Sequence, residues 1–521
     1  MDLNIKARDY STFDLSHLHR TTFDMGKLIP LSTKVTMPGD RINVSVDAFV
    51  RGMPTIAPIL DKIDIKINHF YVPYRVLWNK FEEYYTKNNI HKALGEPAPT
   101  LPTTKPKLDS LSGLPFNINY PCGRLADYLG VSPGYGKLNL EYQSISAMPF
   151  LAYQKIFLDY YAPQRWVNYL MENGQEHPLA QLKLSLEKVK KGNGGDIGYV
   201  SDFTWLGFLQ NVNWNHDYFT NALPTPSLFD DAKLNLISQK WEGSSFLIDQ
   251  GQGNSLSLKF GLTPHGNINN NLLSTVRDLR KNIATQHYLE VLNQGGGRYM
   301  ETLKVLWNQD MDNRTLQRSE YIGGDVLQLF VNEVESTATT DKGNLGDVGG
   351  KPVGGGTTEN EYFEADEFGI YMCLMHVVPK RTYSDAMSKS LWFTKDVDDL
   401  PNPEFEGIGD EAVYQYELTG KHTGVNYGLG VWGYVPRYSE YKTSIDRFSG
   451  EMRHTLEHWH LGSNAEEVEQ YTTISPEFLN CNPREDIFNV DEPDKFLGTF
   501  NVKIKAQRKL SANPTPGIPY I

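Results

Sequence analysis

Three segments set far apart in this chain alternate apolar and polar residues with a period of two. In Arg41–Arg51, Ile42, Val44, Val46, Ala48 and Val50 share one face, and Arg41, Asn43, Ser45 and Asp47 lie on the other. Asp61–Val72 repeats the pattern, with Ile63, Ile65, Ile67 and Tyr71 opposite Lys62, Asp64, Lys66 and Asn68. Pro73 stops it, because proline has no N–H to give a ladder. Phe500, Val502, Ile504 and Ala506 alternate with Asn501, Lys503 and Lys505. Such alternation marks strands buried on one face. Phe368–Val378 is apolar on both faces, as a central strand is. Strands spread over the whole length, with helices inserted between them, do not suit regular βαβ units. They suit a mainly β protein, a sandwich with long excursions.

The helical signals fall in the insertions. Leu77, Trp78, Phe81, Tyr84 and Tyr85 are spaced three and four apart and predict a helix over Arg75–Tyr85. A second is bracketed by Pro149 and Pro163, and a third covers Leu179–Lys190. The longest begins after Ser274, a good N-cap, and ends at Gly295–Gly297. Pro97–Pro121 reads as extended loop, an arm suited to reaching a neighbour, and Gly343–Gly356 as a flexible linker or exposed loop.

Composition excludes several classes. No apolar run approaches the ~20 residues that span a bilayer, and the opening residues lack the apolar core of a signal peptide. Both point to a cytoplasm-like compartment. Cys122, Cys373 and Cys481 are far apart, which fits neither a disulfide framework nor a thiolate zinc site. A net charge of −13 disfavours coating nucleic acid by simple neutralisation, so a basic companion or other cations must balance any enclosed polyanion.

Chemistry-bearing constellations are sparse. His454, His458 and His460 in RHTLEHWHL form the best metal candidate, but the Glu of HExxH is missing and a structural role is the expectation. Gly295–Arg298 and Gly349–Lys351 put glycine beside a basic residue without the P-loop pattern; Pro352 stands where Ser or Thr is needed. Adjacent acids such as Glu82–Glu83, Asp398–Asp399 and Glu466–Glu467 read as solvated faces. No catalytic residue, cofactor or metal is assigned. Two basic groups remain. Lys503, Lys505, Arg508 and Lys509 form a patch on the last strand, and Lys6, Arg8, His17, His19 and Arg20 lie near the start. Lys503, Lys505, Arg508, Lys509, Arg8 and Arg20 are the candidates for contact with nucleic-acid phosphates; the alternative is an ordinary solvated face.

Several blocks carry a family resemblance. FDLSH at Phe13–His17, MGKLIP at Met25–Pro30, PGD at Pro38–Asp40 and HFYVPYRVLW at His69–Trp78 resemble the N-terminal signature of the major capsid proteins of microviruses, small single-stranded DNA phages, in their gokushovirus branch. NWNHDYFTNALP at Asn213–Pro224, GGGRYMETL at Gly295–Leu303, LQRSEYIGG at Leu316–Gly324, the Val378–Arg381 strand ending, Gly433–Leu461 and Pro516-Gly517 continue the likeness in order. SLWFTKDVDDLPNP at Ser390–Pro403 departs from it, as do Glu172–Asn211 and Ser227–Asn271.

The resemblance implies an eight-stranded antiparallel jelly roll, a viral capsid β-sandwich with long loop and helical insertions, as a single domain over residues 1–521. It implies an inner N-terminal arm over 1–30 and a C-terminal strand and tail over 486–521. A variable surface insertion would form a threefold protrusion suspected in host attachment, placed in 227–271 with 172–211 as runner-up. Sixty copies would build a T=1 icosahedral virion shell around circular single-stranded DNA, assembled in the host cytoplasm. The implied partners are a small basic DNA-packaging protein, an internal scaffolding protein, a pilot protein and a host surface receptor. The rival expectation is a carbohydrate-active or carbohydrate-binding β-sandwich, and a third is a phage tail or spike component.

Overall fold

The computed structural model describes residues 10–86, 97–106, 123–131, 144–172, 177–200, 206–226, 245–248, 256–259, 280–281, 283–288, 304, 318–335, 348–391, 397, 400–420, 430–463, 468, 470–490 and 494–512. The chain divides into two compact units, Met1–Pro226 with Met311–Ile521, and Ser227–Asp310. In the first unit the strands are β1 (Ser11–Asp14), β2 (His17–Phe23), β3 (Ile29–Thr36), β4 (Asp40–Gly52), β5 (Ile63–Pro73), β6 (Thr100–Pro106), β7 (Ile145–Ser146) and β8 (Gly194–Val200). The second unit contains the hairpin of β9 (Ser245–Ile248) and β10 (Leu256–Lys259). The first unit resumes with β11 (Glu320–Glu335), β12 (Val348–Thr357), β13 (Glu361–Ala365), β14 (Gly369–Pro379), β15 (Asp410–Tyr414), β16 (Val431–Pro436) and β17 (Phe496–Arg508).

The main sheet runs β1-β17-β4-β12-β11-β5-β14-β3, with β2 continuing β1 along β17 and β13 continuing β12 along β4. Its pairings are antiparallel. Taking β1/β2 and β12/β13 as one strand each leaves eight positions, and first pairs with eighth, second with seventh, third with sixth, fourth with fifth. That is one long hairpin rolled up, the order of a jelly roll. The roll is drawn together where the His19 ring nitrogen Nδ1 bonds the Leu31 carbonyl at 2.9 Å and Arg508 donates to the Val35 carbonyl at 3.0 Å.

Alternation decides what each face does. Val44, Val46, Val502 and Ile504 from one half of the roll meet Ile65, Ile67, Tyr371 and Met375 from the other in the principal core. The opposite face of β3, β5 and β14 is covered too, by the helix Met148–Ile156, its wider continuation Phe157–Tyr161, and the helix Pro178–Lys191. Every residue of β14 is therefore buried, which is why its sequence shows no alternation. Burial lowers the basicity of two histidines in this double layer, His69 to about 4 and His376 to about 3, so both are neutral. A third core packs Trp432, Phe478, Phe219 and Tyr383 beside β15 and β16.

Several expectations change. The helix expected over Arg75–Tyr85 is two short ones, Tyr74–Leu77 and Phe81–Thr86. Trp78 at the break has an extended backbone, its ring is fully buried, and its indole N–H donates to the Gly192 carbonyl at 2.8 Å. Seating that ring costs one helical turn. The N-terminal stretch expected as an arm is sheet from Ser11 to Phe23, laid along β17. Within Pro97–Pro121, Thr100–Pro106 is a strand between β7 and β8, and residues 107–121 lie outside those described. For the helix expected after Ser274, residues 280–281 and 283–288 are helical; Ser274, Gly295–Gly297 and the adjoining Arg298 lie outside the described residues, as do Cys122 and Arg8.

The linker expected over Gly343–Gly356 is, from Val348 onward, the interior strand β12 between β11 and β4. Its glycines permit close approach rather than looseness. A Cβ on Gly354 would stand 2.7 Å from the Gln328 carbonyl oxygen and from Leu329 Cα, and one on Gly350 would stand 2.2 Å from Thr55 Oγ1. Gly354→Val is expected to lower the stability of the roll by about 1–3 kcal/mol in urea unfolding. Gly407→Ala, at a site with open space around it, serves as the neutral control.

Candidate functional site

Three of the sequence-derived basic residues, Lys503, Lys505 and Arg20, lie on the outward face of the half-roll formed by β2, β17, β4 and β12. Lys503 and Lys505 project from β17 on the side opposite Val502 and Ile504. The Lys503 ammonium sits 2.7 Å from Asp47 Oδ2 on β4. Asp47 also accepts from the Thr357 hydroxyl at 3.0 Å and the Asn501 amide at 3.2 Å. The Lys503 bond, followed by those from Thr357 and Asn501, holds the Asp47 carboxyl below the usual carboxylate range. Lys505 pairs in register with Asp14 of β1 and adds a small attraction to the stronger hydrogen bonds from Ser16 that depress Asp14. Arg41 pairs with Glu364 at 3.1 Å and lies over the Tyr10 ring. Much of this face is thus neutralised internally.

Arg508 is not on that face. Ala506 points inward, and the period of two carries Arg508 inward with it, to the end of the roll. Its guanidinium lies 3.1 Å from the carboxylate of Asp40, which is 1% exposed. Burial raises the Asp40 carboxyl; the Met37 N–H, and then Arg508, act against that rise. Arg508 closes the fold and is not placed for phosphate. Lys509 is exposed beside the Tyr10 ring, and Arg20 is exposed on β2 opposite Thr499, with no acidic partner among the described residues. The structure therefore brings Lys503, Lys505 and Arg20 onto one face and separates Arg508 from them.

The same face carries Phe49, Arg51, Lys351 and Phe330, which the sequence did not single out. Parity along β4 gives the first two. Lys351 falls in the stretch read as a loop, and Phe330 in a strand without clean alternation.

The histidine cluster is structural. Residues 450–453 and 457–459 form 3₁₀ turns rather than one helix, so His454 and His458 do not share a helical face. His460 is buried and stacked on Phe448, with ring centroids 3.7 Å apart. Its Nε2 bonds the Met452 carbonyl at 2.8 Å and its Nδ1 accepts from the Gly462 N–H at 3.1 Å. Among the described residues no group of three or more His, Cys, Asp or Glu is arranged to hold a metal. Cys373 and Cys481 are free and buried, and burial pushes the Cys373 thiol up to about 12.

A cavity of about 790 Å³ opens beside the third core, lined by Tyr218, Asp385, Tyr416, Glu440, Arg447 and Arg453 among others. Beneath it Glu417 is wholly buried, accepting from Tyr218 at 3.0 Å and from the Tyr414 N–H at 2.9 Å. Burial pushes Glu417 up to about 7. Burial, with the hydrogen bond to Glu411, does the same to Glu440. Glu411 lies in hydrogen-bonding contact with Glu440. Lys389 stands 3.3 Å from Glu411 and partly balances the group. The chemistry here is buried-charge compensation.

The chain is similar over nearly its whole length to characterised proteins. It is 24% identical over 546 residues to the capsid protein VP1 of Spiroplasma virus 4, covering 94% of this chain and 92% of the relative. It is 25% identical over 544 residues to the capsid protein VP1 of Bdellovibrio phage phiMH2K, with 94% and 92% covered. To the capsid protein VP1 of Chlamydia phage 1 it is 24% identical over 596 residues, with 98% and 95% covered. The family model described as "Capsid protein (F protein)" matches residues 4–518. With its jelly-roll strand order and a family match over residues 4–518, this chain belongs to the phage capsid protein (F protein) family and is a major capsid protein, a component of the virion that self-assembles into its shell.

Proposed function

We propose that sixty copies of this chain close into a T=1 icosahedral shell around circular single-stranded DNA, and that it works without catalysis. The carrying observation is the coincidence of a complete jelly-roll strand order with a family match over residues 4–518. Subunits in such a shell meet through heterologous contacts that close into rings. Exposed apolar side chains such as Leu60, Leu391 and Val397 supply area for them.

The net charge of −13 supports a need for a small basic DNA-packaging protein inside the shell. An internal scaffolding protein during assembly in the host cytoplasm, a pilot protein and a host surface receptor complete the reading. The compact unit Ser227–Asp310 supports placing the threefold, host-attaching protrusion in 227–271. The runner-up 172–211 fits less well, because its helix Pro178–Lys191 inserts Ala180 and Leu182 into the wall. Of the basic residues, Arg20, Lys505 and Lys509 are left for DNA phosphates, with Arg8 a further candidate; Lys503 and Arg508 are engaged by Asp47 and Asp40.

Negative-stain imaging of the expressed chain tests the reading. Closed particles roughly 250–300 Å across are expected from sixty domains of this mass. A monodisperse monomer under all conditions, or activity on glycans without particles, overturns it.

A further inference from the structure

The outward sheet face combines exposed aromatic rings with unneutralised cations. Phe49 is 54% exposed on β4 and Phe330 is 62% exposed on β11. Strand register fixes their setting. Leu497, Arg51, Val353 and Phe330 stand side by side across β17, β4, β12 and β11. One row along, Arg20, Thr499, Phe49 and Gly355 do the same across β2, β17, β4 and β12. With strands ~4.8 Å apart and same-face residues ~6.8 Å apart, the two rings lie about 12 Å from each other. Arg51 is one such step from Phe49, and Lys351 one step from Val353. Arg20, Arg51 and Lys351 have no acidic partner among the described residues, whereas the nearby Asp47 is saturated by Lys503, Thr357 and Asn501. Gly355, opposite Phe49 on β12, presents no side chain beside that ring.

We propose that this face, with Phe49 and Phe330 as platforms and Arg20, Arg51 and Lys351 around them, binds single-stranded DNA by stacking unpaired bases and holding the intervening phosphates. Aromatic platforms among cations are what an unpaired strand requires, since every base has a π-face and every linkage a charge. Duplex DNA hides its bases and gains nothing from the rings. A two-fold contact between copies would set the same three cations against themselves. The inference rests on the reading that this shell encloses single-stranded DNA, and it sharpens where the contact lies.

The test is fluorescence anisotropy of a poly-thymidine oligonucleotide titrated with the full chain over a range of salt. Removing both rings in Phe49→Leu/Phe330→Leu keeps the apolar area and is expected to weaken binding at least about tenfold, from ~1–3 kcal/mol per stacked base. Phe49→Trp/Phe330→Trp is expected to retain affinity. Arg20→Ala/Arg51→Ala/Lys351→Ala is expected to flatten the slope of log K against log salt by about 2, at ~0.7 per single-strand phosphate. Phe49, Phe330, Arg20 and Arg51 are exposed and Lys351 is half-buried, and unchanged thermal unfolding serves as the folding control. If the wild type binds but the leucine pair binds equally well, this face is wrong while the packaging reading stands. If the wild type does not bind at all, the proposal is overturned while the packaging reading stands, because a basic companion inside the shell can hold the DNA. If the leucine pair instead alters the sedimentation of the chain without altering binding, the face is a contact between copies and the proposal is overturned.

Discussion

Arg508→Ala is expected to destabilise the subunit by roughly 3–5 kcal/mol, because it strands a buried carboxylate. Asp40 is 1% exposed, and its remaining polar support is the Met37 N–H. With Arg508 gone, the carboxyl must be buried charged without its partner or take up a proton. The deficit should therefore be largest near neutral pH and shrink as the solution is acidified and Asp40 becomes neutral. Urea unfolding at two pH values measures both effects. The same variant separates two roles for a basic residue near the end of the last strand. If Arg508 works in the fold, stability drops while the salt dependence of oligonucleotide binding holds. Unchanged stability with a weaker salt dependence would falsify the structural assignment.

Glu417→Gln is expected to remove one component of the pH dependence of stability, a loss that Glu417 contributes between about pH 4.5 and 7. Burial raises the Glu417 carboxyl from an ordinary 4.5 to about 7 in the folded chain. The native state then keeps a proton that the unfolded chain releases. Stability from this group is fully present below the unfolded value, declines as pH rises, and is lost once pH passes the folded value. The difference amounts to about 3 kcal/mol for one such group. Glutamine imitates the protonated acid and can still meet Tyr218 and the Tyr414 N–H. The stability of the wild type relative to the variant should thus fall by about 3 kcal/mol from pH 5 to pH 8, a difference in which the opposite contribution of the buried neutral His69 and His376, common to both, cancels. Glu440, raised by burial and by its hydrogen bond to Glu411, adds a smaller contribution because solvent reaches it. An unaltered slope in the variant would reassign the dependence to that pair.

Much of the roll was readable from parity. Arg41–Arg51, Asp61–Val72 and Phe500–Ala506 became β4, β5 and β17 because one face of each is buried, and burial writes itself into every second residue. The unbroken apolar run at Phe368–Val378 became β14, covered on both sides. What escaped did so for identifiable reasons. Glycine in β12 answers to neighbouring backbone, Gln328 and Leu329, that lies close in space and distant in sequence. β2 carries His17, His19 and Thr21 on its inner face and Leu18 on its outer one, so His17–Phe23 gives no apolar alternation that marks the buried side. Trp78 interrupts a helix without any breaking residue, because a buried indole outbids local propensity. At the basic site, the inward turn of Arg508 was legible from its even spacing to Ala506, Ile504 and Val502. The capture of Lys503 by Asp47 was not, since it depends on a register between strands that only the folded sheet reveals.

That register has a consequence for synthesis. β17 is no edge strand: it lies between β2 and β4, and Phe496 pairs with Gly52. A nascent chain must therefore hold β1, β2 and β4 with the edges that face β17 open until residues 496–508 leave the ribosome, tens of seconds later at ~5–20 residues per second. Until that closure the shell-forming surfaces have no rigid wall behind them. A prematurely terminated chain, even one missing only its final tenth, lacks the strand that joins the two early ones. The fold itself thereby acts as a proofreading step, admitting finished subunits to the lattice and leaving fragments to proteolysis.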